Sequence, residues 1–166
     1  MYTLEAAQLW EAEVCYSIID DARKFQREQG FVQWTDDYPD RETIQKDIRD
    51  KKGYVMRAGG VIAGYMCIDF SGEPAYRDIK GAWGSGGPYA VVHRMAFDRT
   101  YRGIGAADAA FRLIEDFCLQ HGIRNIRVDT DPLNKRMQHI LRKNNFEYRG
   151  TILFQGGERA AFDRAL

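Results

Sequence analysis

The sequence contains few cysteines, and those it has lie far from one another. Three occur among 166 residues, Cys15, Cys67 and Cys118, each within an apolar stretch. An odd number of widely spaced cysteines predicts buried free thiols rather than a disulfide framework. No cluster of Cys and His has the spacing of a zinc site, so we expect no bound metal.

The sequence also lacks an excess of charge of either sign. Lys and Arg together number 24, as do Asp and Glu, and the formal net charge at pH 7 is +0. A protein that binds nucleic acid or an anionic membrane through its overall charge needs a basic surplus. We therefore expect neither kind of partner.

Long apolar runs are absent as well. No stretch approaches the roughly 18 residues needed to span a membrane, and residues 1–5 lack the basic-then-apolar pattern of a secretory signal. We therefore expect a cytoplasmic protein. Hydrophobic residues make up 45% of the chain, as in ordinary globular proteins, and the length predicts a single domain over residues 1–166.

Hydrophobic periodicity and turn residues predict an α/β domain with a mixed sheet, in the order β-α-α-β-β-β-α-β-α-β-β. The predicted helices run over Ala6–Arg27, from the cap Asp40 to about Lys51, over Ile104–His121, and onward from the cap Asp131 with Pro132. The predicted strands with defined bounds are Tyr54–Ala58, Val61–Phe70, Ala90–Phe97, Ile126–Thr130, Thr151–Phe154 and Ala160–Arg164, with a loop over Ser71–Pro88. Gly59-Gly60 and Gly156-Gly157 predict hairpin turns.

A glycine-spaced turn between the strand Ala90–Phe97 and the following helix predicts a phosphate site. Glycines allow the backbone to approach a ligand closely, and a helix N-terminus presents N–H donors and a positive dipole end. A nucleotide P-loop would place Lys-Ser/Thr after the second glycine, where this chain has Ala106-Ala107. A dinucleotide fold would carry three spaced glycines after its first strand, but this turn comes late and has two.

A third pattern fits this turn. Arg102-Gly103-Ile104-Gly105-Ala106-Ala107 resembles the Gln/Arg-x-x-Gly-x-Gly/Ala pyrophosphate signature of the GNAT superfamily of N-acetyltransferases. Asn134 and the segment Lys143 to Phe146 resemble that family's Asn-x-x-Ala…Lys-x-Gly-Phe helix and strand. The resemblance covers most of the chain and implies a GNAT-like mixed, largely antiparallel sheet with a splayed parallel strand pair and helices on both faces. It also leads us to expect a homodimer.

The resemblance implies acetyl-CoA or coenzyme A as co-substrate and assigns residues to it. Backbone N–H groups of the turn would bind the pyrophosphate, and the main chain of β-strand residues would pair with the pantetheine arm. Asn134 would face the pantetheine, and Lys143 either reaches a phosphate or lies on a solvated face. The full set of implied coenzyme-binding residues is Met95, Ala96, Phe97, Arg102, Gly103, Ile104, Gly105, Ala106, Ala107, Asn134 and Lys143.

The chain departs from the family at the residue that protonates the leaving thiolate. Many members have a Tyr seven residues after the Asn, and here that position is Leu141. A thiol has a pKa near 8.5, so its thiolate leaves tolerably without an acid. His93 is the candidate general base, with a packed core histidine as the alternative. The backbone N–H of Met95 is the candidate donor to the carbonyl oxygen.

Alternation along the strand puts Val92, Arg94 and Ala96 on one face, and we expect Arg94 to pair with a carboxylate. The resemblance places the acceptor site at the loop between the first two helices. Its candidate residues are Trp34, Asp36, Asp37 and Tyr38, with Trp83 as a second wall. Aromatic rings beside carboxylates suit a cationic amine, although Asp36 and Asp37 also suit a solvated turn.

The sequence therefore predicts an N-acetyltransferase that acts on an amine of a small molecule or a peptide by direct attack in a ternary complex. Two alternatives remain open. One is a non-catalytic acyl-CoA-binding module, and the other is an acyltransferase that uses another acyl donor or a hydroxyl acceptor, because a fold does not fix its substrate.

Overall fold

The chain folds into eight strands and four α-helices, and the computed structural model describes residues 1–166. The helices are α1 (Ala12–Glu28), α2 (Arg41–Arg49), α3 (Ala106–Gln120) and α4 (Lys135–Lys143). The strands are β1 (Tyr2–Ala6), β2 (Gly53–Ala58), β3 (Val61–Asp69), β4 (Lys80–Gly81), β5 (Ala90–Phe97), β6 (Asn125–Thr130), β7 (Glu147–Phe154) and β8 (Gly157–Ala165). This order confirms the predicted one, with the two-residue β4 added inside the predicted loop.

The elements form two compact units. The first comprises Met1–Ile68 and His93–Ile114, and the second comprises Asp69–Val92 and Glu115–Leu166. The strand order is β1-β2-β3-β5-β6-β8-β7-β4. Strand β5 contributes its last five residues to the first unit and its first three to the second.

The first unit is built on antiparallel strands covered by α1 and α2. Strand β1 pairs with β2 from Tyr2 opposite Ala58 to Ala6 opposite Tyr54, and a Gly59-Gly60 turn joins β2 to β3. The two helices bury a shared apolar face against the strands, and this cluster comprises Ala7, Ala12, Cys15, Ile18, Ile19, Trp34, Ile44, Ile48, Val55, Tyr65 and Ala96. Burying such side chains contributes roughly 1.5–3 kcal/mol for each large one, which holds α1 and α2 against β2, β3 and β5.

The second unit contains the parallel pair of the sheet. Strand β5 pairs with β6 only at Ala90 opposite Ile126 and Val91 opposite Arg127. The pairing thus ends one residue before Val92, the last residue of β5 in this unit. Strands β6, β8 and β7 are antiparallel. A mixed, largely antiparallel sheet with a parallel pair that separates after two residues confirms the predicted fold class.

Two predicted helix starts differ from the structure. Ala6 ends strand β1, and α1 begins six residues later at Ala12. Helix α4 begins after Asn134, whose Oδ1 accepts from Met137 N–H at 3.0 Å. Asp131 instead accepts from Leu133 N–H at 2.8 Å, which forms a local turn before the helix.

The helix cap at Asp40 and the buried free cysteines confirm two predictions from the sequence. Asp40 caps α2 by accepting from Thr43 N–H at 2.8 Å. Asn145 has a left-handed conformation after α4, with φ of 67°. The three cysteines are free and buried. No helix is long and apolar enough to cross a membrane.

Candidate functional site

The turn between β5 and α3 has the backbone that a phosphate cradle requires. Gly103 and Gly105 have φ of 75° and 86°, a conformation that costs a residue with a Cβ about 1–2 kcal/mol. The first bond within α3 runs from Ala109 N–H to Gly105 C=O at 3.1 Å. The preceding amides of Gly105, Ala106 and Ala107 therefore have no acceptor within the helix.

Space for a ligand exists beside this turn. A Cβ added at Gly105 would have no heavy atom within 4 Å, and Ile104 at the tip is 66% exposed. Positive dipole and N–H donors at the start of a fifteen-residue helix favour an anion there. The residues present thus fit the pyrophosphate of coenzyme A. Acetyl-CoA, the acetylated form of this coenzyme, would supply the acyl thioester when bound.

Helix α1 holds the turn in place through one carboxylate. Asp21 accepts from Arg99 at 2.5 Å and from Arg102 at 2.9 Å, and the Arg102 guanidinium also lies 4.6 Å from the centre of the Phe25 ring. The hydrogen bond from Arg99 lowers the pKa of Asp21 below its ordinary value. Arg102, a predicted coenzyme-binding residue, therefore binds α1 with its side chain and shapes the turn with its backbone.

Strand β5 has an unusual backbone conformation at Arg94, directly before the predicted coenzyme-binding residues of the strand. Arg94 has φ of 50°, which simple alternation along the strand does not predict. Its guanidinium pairs with a carboxylate, as predicted: Nε and Nη2 donate to Asp47 at 2.8 and 2.6 Å. Arg94 and the buried Ala96 both contact the layer of α1 and α2, as alternation predicts.

Two tyrosines complete this cluster. The Tyr65 hydroxyl donates to Asp47 Oδ2 at 2.8 Å, and Arg94 Nη1 donates to the Tyr38 hydroxyl oxygen at 2.7 Å. Burial lowers the pKa of the Arg94 guanidinium, but its hydrogen bonds to Asp47 reverse this, and the net direction is upward. Burial raises the pKa of Tyr65 far above its ordinary value, and the Asp47 carboxylate raises it further. Arg94 therefore stays charged and Tyr65 stays neutral.

The predicted catalytic residues flank Arg94 on β5. His93 and Met95 are both half-buried, so neither lies wholly in the core or wholly in solvent. Phe97 is half-buried and Ala96 is 4% exposed. The roles of these four residues stay predictions.

The predicted acceptor loop is fixed to α1 by buried polar side chains. Arg23 is 3% exposed and donates to the carbonyl oxygens of Thr35, Tyr38 and Pro39, the last two at 2.9 and 2.7 Å. The loop's own Trp34 is a core residue, 7% exposed. The aromatic surface of the loop therefore comes from the half-buried Tyr38, since the structure puts the Trp34 ring in the core.

The two acidic residues of the loop are exposed. Asp36 accepts from Arg27 at 2.7 Å on the surface, so part of its charge is neutralised. Asp37 is also exposed. Their contact with an acceptor amine stays a prediction.

The remaining predicted residues belong to the second unit. Asn134 is the cap of α4, and Lys143 lies exposed at its end. Leu141 is 1% exposed and packs in the core, so this position presents no polar group. Trp83 donates its indole N–H to Tyr76 C=O at 2.9 Å, and Arg127 lies 4.4 Å from its ring centre. Its place in the acceptor site stays a prediction.

Sequence reasoning missed four side chains that organise the first unit, namely Asp21, Arg23, Asp47 and Tyr65. A sequence signal existed for one of them, because Asp21 and Phe25 are four residues apart on one face of α1 and both contact Arg102. No group of three or more His, Cys, Asp or Glu is arranged to hold a metal ion.

The solved structures that the chain resembles include several acetyltransferases. The chain matches a GNAT-family acetyltransferase from Streptococcus agalactiae with a TM-score of 0.89 and 28% identity, over 99% of this chain and 95% of that one. A GNAT-family acetyltransferase from Listeria monocytogenes matches with a TM-score of 0.78 and 18% identity, over 99% and 95%. The aminoglycoside acetyltransferase AAC(6')-Ib, solved in complex with coenzyme A, matches with a TM-score of 0.73 and 17% identity, over 99% and 95%.

No curated protein matches the chain in sequence. The model of the acetyltransferase (GNAT) family matches residues 18–146, which include the loop after α1, strand β5, the glycine turn and helix α4. This match agrees with the fold, the turn and the separating parallel strands. The chain belongs to the GNAT family of acetyltransferases.

Proposed function

We propose that this enzyme transfers an acetyl group from acetyl-CoA to a primary amine of a small molecule, by direct attack in a ternary complex. The observation that carries the proposal is the turn at the start of α3. Two glycines with positive φ stand there, and the space beside Gly105 is open. Backbone donors in that arrangement suit a pyrophosphate, which acetyl-CoA carries.

The reaction needs three things from the chain. An alkylammonium has a pKa near 10.4, so deprotonating it at pH 7 costs about 4.6 kcal/mol, and a base or water must take that proton. The carbonyl oxygen needs a donor, for which Met95 N–H is our candidate. The thioester and the amine must also be held together, which alone contributes much of the acceleration. His93 is our candidate for the base.

A small-molecule acceptor is favoured by the family members of this fold. AAC(6')-Ib has been solved with coenzyme A and kanamycin, and with ribostamycin and coenzyme A. At 17% identity these complexes support only the class of acceptor, an amine-bearing small molecule. The exposed Asp36 and Asp37 beside Tyr38 suit such a cation.

The test is an assay of thiol release from acetyl-CoA with a panel of amines, run beside calorimetric binding of coenzyme A. The panel contains kanamycin, spermidine, free amino acids and a lysine-containing peptide, with a hydroxyl analogue of each active amine and a blank without acceptor. Turnover above the blank on a small-molecule amine supports the proposal, whereas turnover on the peptide alone would show an amine acetyltransferase with a peptide acceptor. Tight coenzyme binding without turnover on any acceptor supports the alternative of a non-catalytic acyl-CoA-binding module. The observation that favours this alternative is the buried Leu141, which stands where many family members have the tyrosine that protonates the thiolate.

A further inference from the structure

Two tyrosine hydroxyls contact the same ion pair in opposite senses. A carboxylate only accepts hydrogen bonds, so Tyr65 must donate its proton to Asp47, 2.8 Å away. A guanidinium only donates, so the oxygen of Tyr38 must accept from Arg94, 2.7 Å away. The hydroxyl proton of Tyr65 is therefore used in its bond to Asp47. Tyr38 uses only its oxygen in the bond from Arg94, so its hydroxyl proton is available for donation to another group.

Exposure separates the two hydroxyls in the same way. Tyr65 is 0% exposed, and its hydroxyl is sealed in the core. Tyr38 is half-buried, so part of the side chain faces outward. A hydroxyl with an uncommitted proton, on a side chain that is only partly buried, is able to donate to a ligand.

The orientation of Tyr38 is fixed from two sides. Arg94 has Nε and Nη2 on Asp47 and Nη1 on Tyr38, so its planar fork cannot rotate without breaking a bond. The Tyr38 carbonyl is held by Arg23 at 2.9 Å. A donor held this way needs little reorganisation when charge develops beside it.

Tyr38 also joins the two segments that the reaction must bring together. It belongs to the loop that we assign to the acceptor, and its partner Arg94 lies on β5 between His93 and Met95, where we assign the thioester. Arg94 adopts φ of 50° there, an uncommon conformation for a non-glycine residue. Backbone outliers of this kind concentrate where function requires them.

We propose that Tyr38 is the proton donor to the sulfur of coenzyme A, and that Arg94 and Asp47 are the positioning residues that orient it. This inference rests on the proposed function. The amine nitrogen attacks the thioester carbon, the C–N bond forms and the C–S bond breaks with its electron pair on sulfur. The sulfur takes the proton of Tyr38, and the Arg94 guanidinium stabilises the phenolate. The phenolate regains a proton, through water, from the positively charged nitrogen of the new C–N bond, which thereby becomes the neutral amide.

The decisive variant is Tyr38→Phe, which keeps the ring and removes the donor. We expect kcat to fall about tenfold to a hundredfold, at or below the low end of general acid catalysis, because a thiolate leaves tolerably by itself. KM for acetyl-CoA should not change. Arg94→Lys should lower kcat similarly, because one ammonium cannot hold Asp47 and Tyr38 in the same geometry.

A second readout needs no acceptor. A hydroxyl that donates to the sulfur favours the thiolate, so the pKa of the bound coenzyme A thiol should be lower in the wild type than in Tyr38→Phe, by about half a unit to one unit. Titration of bound coenzyme A, followed by the ultraviolet absorbance of the thiolate, measures this difference. Tyr54→Phe is the matched control, since its hydroxyl donates to the Lys51 carbonyl at 3.3 Å on the surface, and both readouts should match the wild type.

The possible outcomes distinguish the assignment of Tyr38 as proton donor from the proposed acetyl transfer. An unchanged kcat and an unchanged thiol pKa in a folded Tyr38→Phe protein would overturn the proton-donor assignment while leaving the proposed function intact. A thiol pKa that rises in Tyr38→Phe, with no amine acetylated by the wild type, would uphold the assignment and refute the proposed reaction. Failure of the wild type to bind coenzyme A would overturn both.

Discussion

The carboxylate of Asp47 on α2 receives two hydrogen bonds from the guanidinium of Arg94 on β5, at 2.8 and 2.6 Å. The side chains are only 9% and 13% exposed. A pair so little hydrated depends on both partners, because removal of one leaves an uncompensated buried charge.

We expect Asp47→Asn to lower the free energy of unfolding by about 3–5 kcal/mol, because Arg94 loses its counter-charge in the core. Urea unfolding measures this. Asp50→Asn on the end of the same helix is the control, since Asp50 pairs with an exposed Lys46, and exposed pairs contribute little. Equal losses in the two variants would show that burial does not set the strength of the Asp47 pair.

Substitution of Gly105 should separate backbone strain from ligand binding. Gly105→Ala and Gly59→Ala both place a Cβ at positive φ with no heavy atom within 4 Å, so each should destabilise the protein by about 1–2 kcal/mol. Only Gly105 lies in the proposed phosphate cradle. Calorimetry should therefore show weaker coenzyme A binding for Gly105→Ala alone, and equal affinities in both variants would place the coenzyme elsewhere.

The role of Arg102 is tested through its partner Asp21. If Arg102 shapes the turn by binding α1, Asp21→Asn should weaken coenzyme A binding about threefold to tenfold, roughly the value of one or two hydrogen bonds. If the Arg102 side chain instead binds phosphate, its release from Asp21 should leave the affinity unchanged or raise it. Calorimetric titration of coenzyme A distinguishes these outcomes.

The Asp21→Asn variant should also change how the free energy of unfolding depends on pH. The folded-state pKa of Asp21 is lowered, so its contribution to stability is present above the unfolded pKa, near 3.9, and is lost as pH falls through the folded value. The difference in unfolding free energy between the wild type and Asp21→Asn should be constant near neutrality and shrink below pH about 4. Urea unfolding across that range measures it, and a difference that grows on acidification would contradict the sign.

His93 is tested by the pH dependence of the reaction. If it takes the proton of the amine, His93→Gln should lower kcat and remove the acidic limb of the pH profile of kcat. If it is a packed core histidine, the profile should keep its shape and only stability should fall. Profiles are measured on the amine that the panel identifies, with thermal unfolding in parallel.

The acidic residues of the acceptor loop should act on KM. The double variant Asp36→Asn, Asp37→Asn should raise KM for a cationic amine without changing KM for acetyl-CoA. Asp36→Asn alone should have the smaller effect, because Arg27 already neutralises part of its charge. Unchanged kinetics in the double variant would remove the loop carboxylates from the acceptor site.

Local sequence predicted most elements because their signals are short. Apolar alternation from Ala90 to Phe97 gave the bounds of β5, and Asp40 was identified as a cap from its own neighbourhood. The start of α4 was predicted at Asp131 because Asp-Pro resembles a cap with its first helical residue. Asn134 is the cap instead, since the Asp131 side chain closes a turn with Leu133.

Residues that act through distant partners could not be predicted in the same way. Trp34 is a residue type that often lines ligand sites, yet its ring packs in a core built from α1, α2 and three strands. Arg94 was expected to find a carboxylate, but its identity as Asp47 depends on how α2 lies over β5. The φ of 50° at Arg94 has no local signal, because an arginine within an apolar strand predicts extended backbone.

The sequence by itself determined the family and the proposed acyl donor, because the phosphate turn is one contiguous segment that works through backbone groups. Gly103 and Gly105 therefore indicate a phosphate-binding turn without any knowledge of how the rest of the chain folds. The tertiary structure decided which side chains surround the acyl-binding strand. Tyr38 and Arg94 are 56 residues apart in sequence and meet at 2.7 Å, because only the packing of α1 and α2 on the sheet brings loop and strand together.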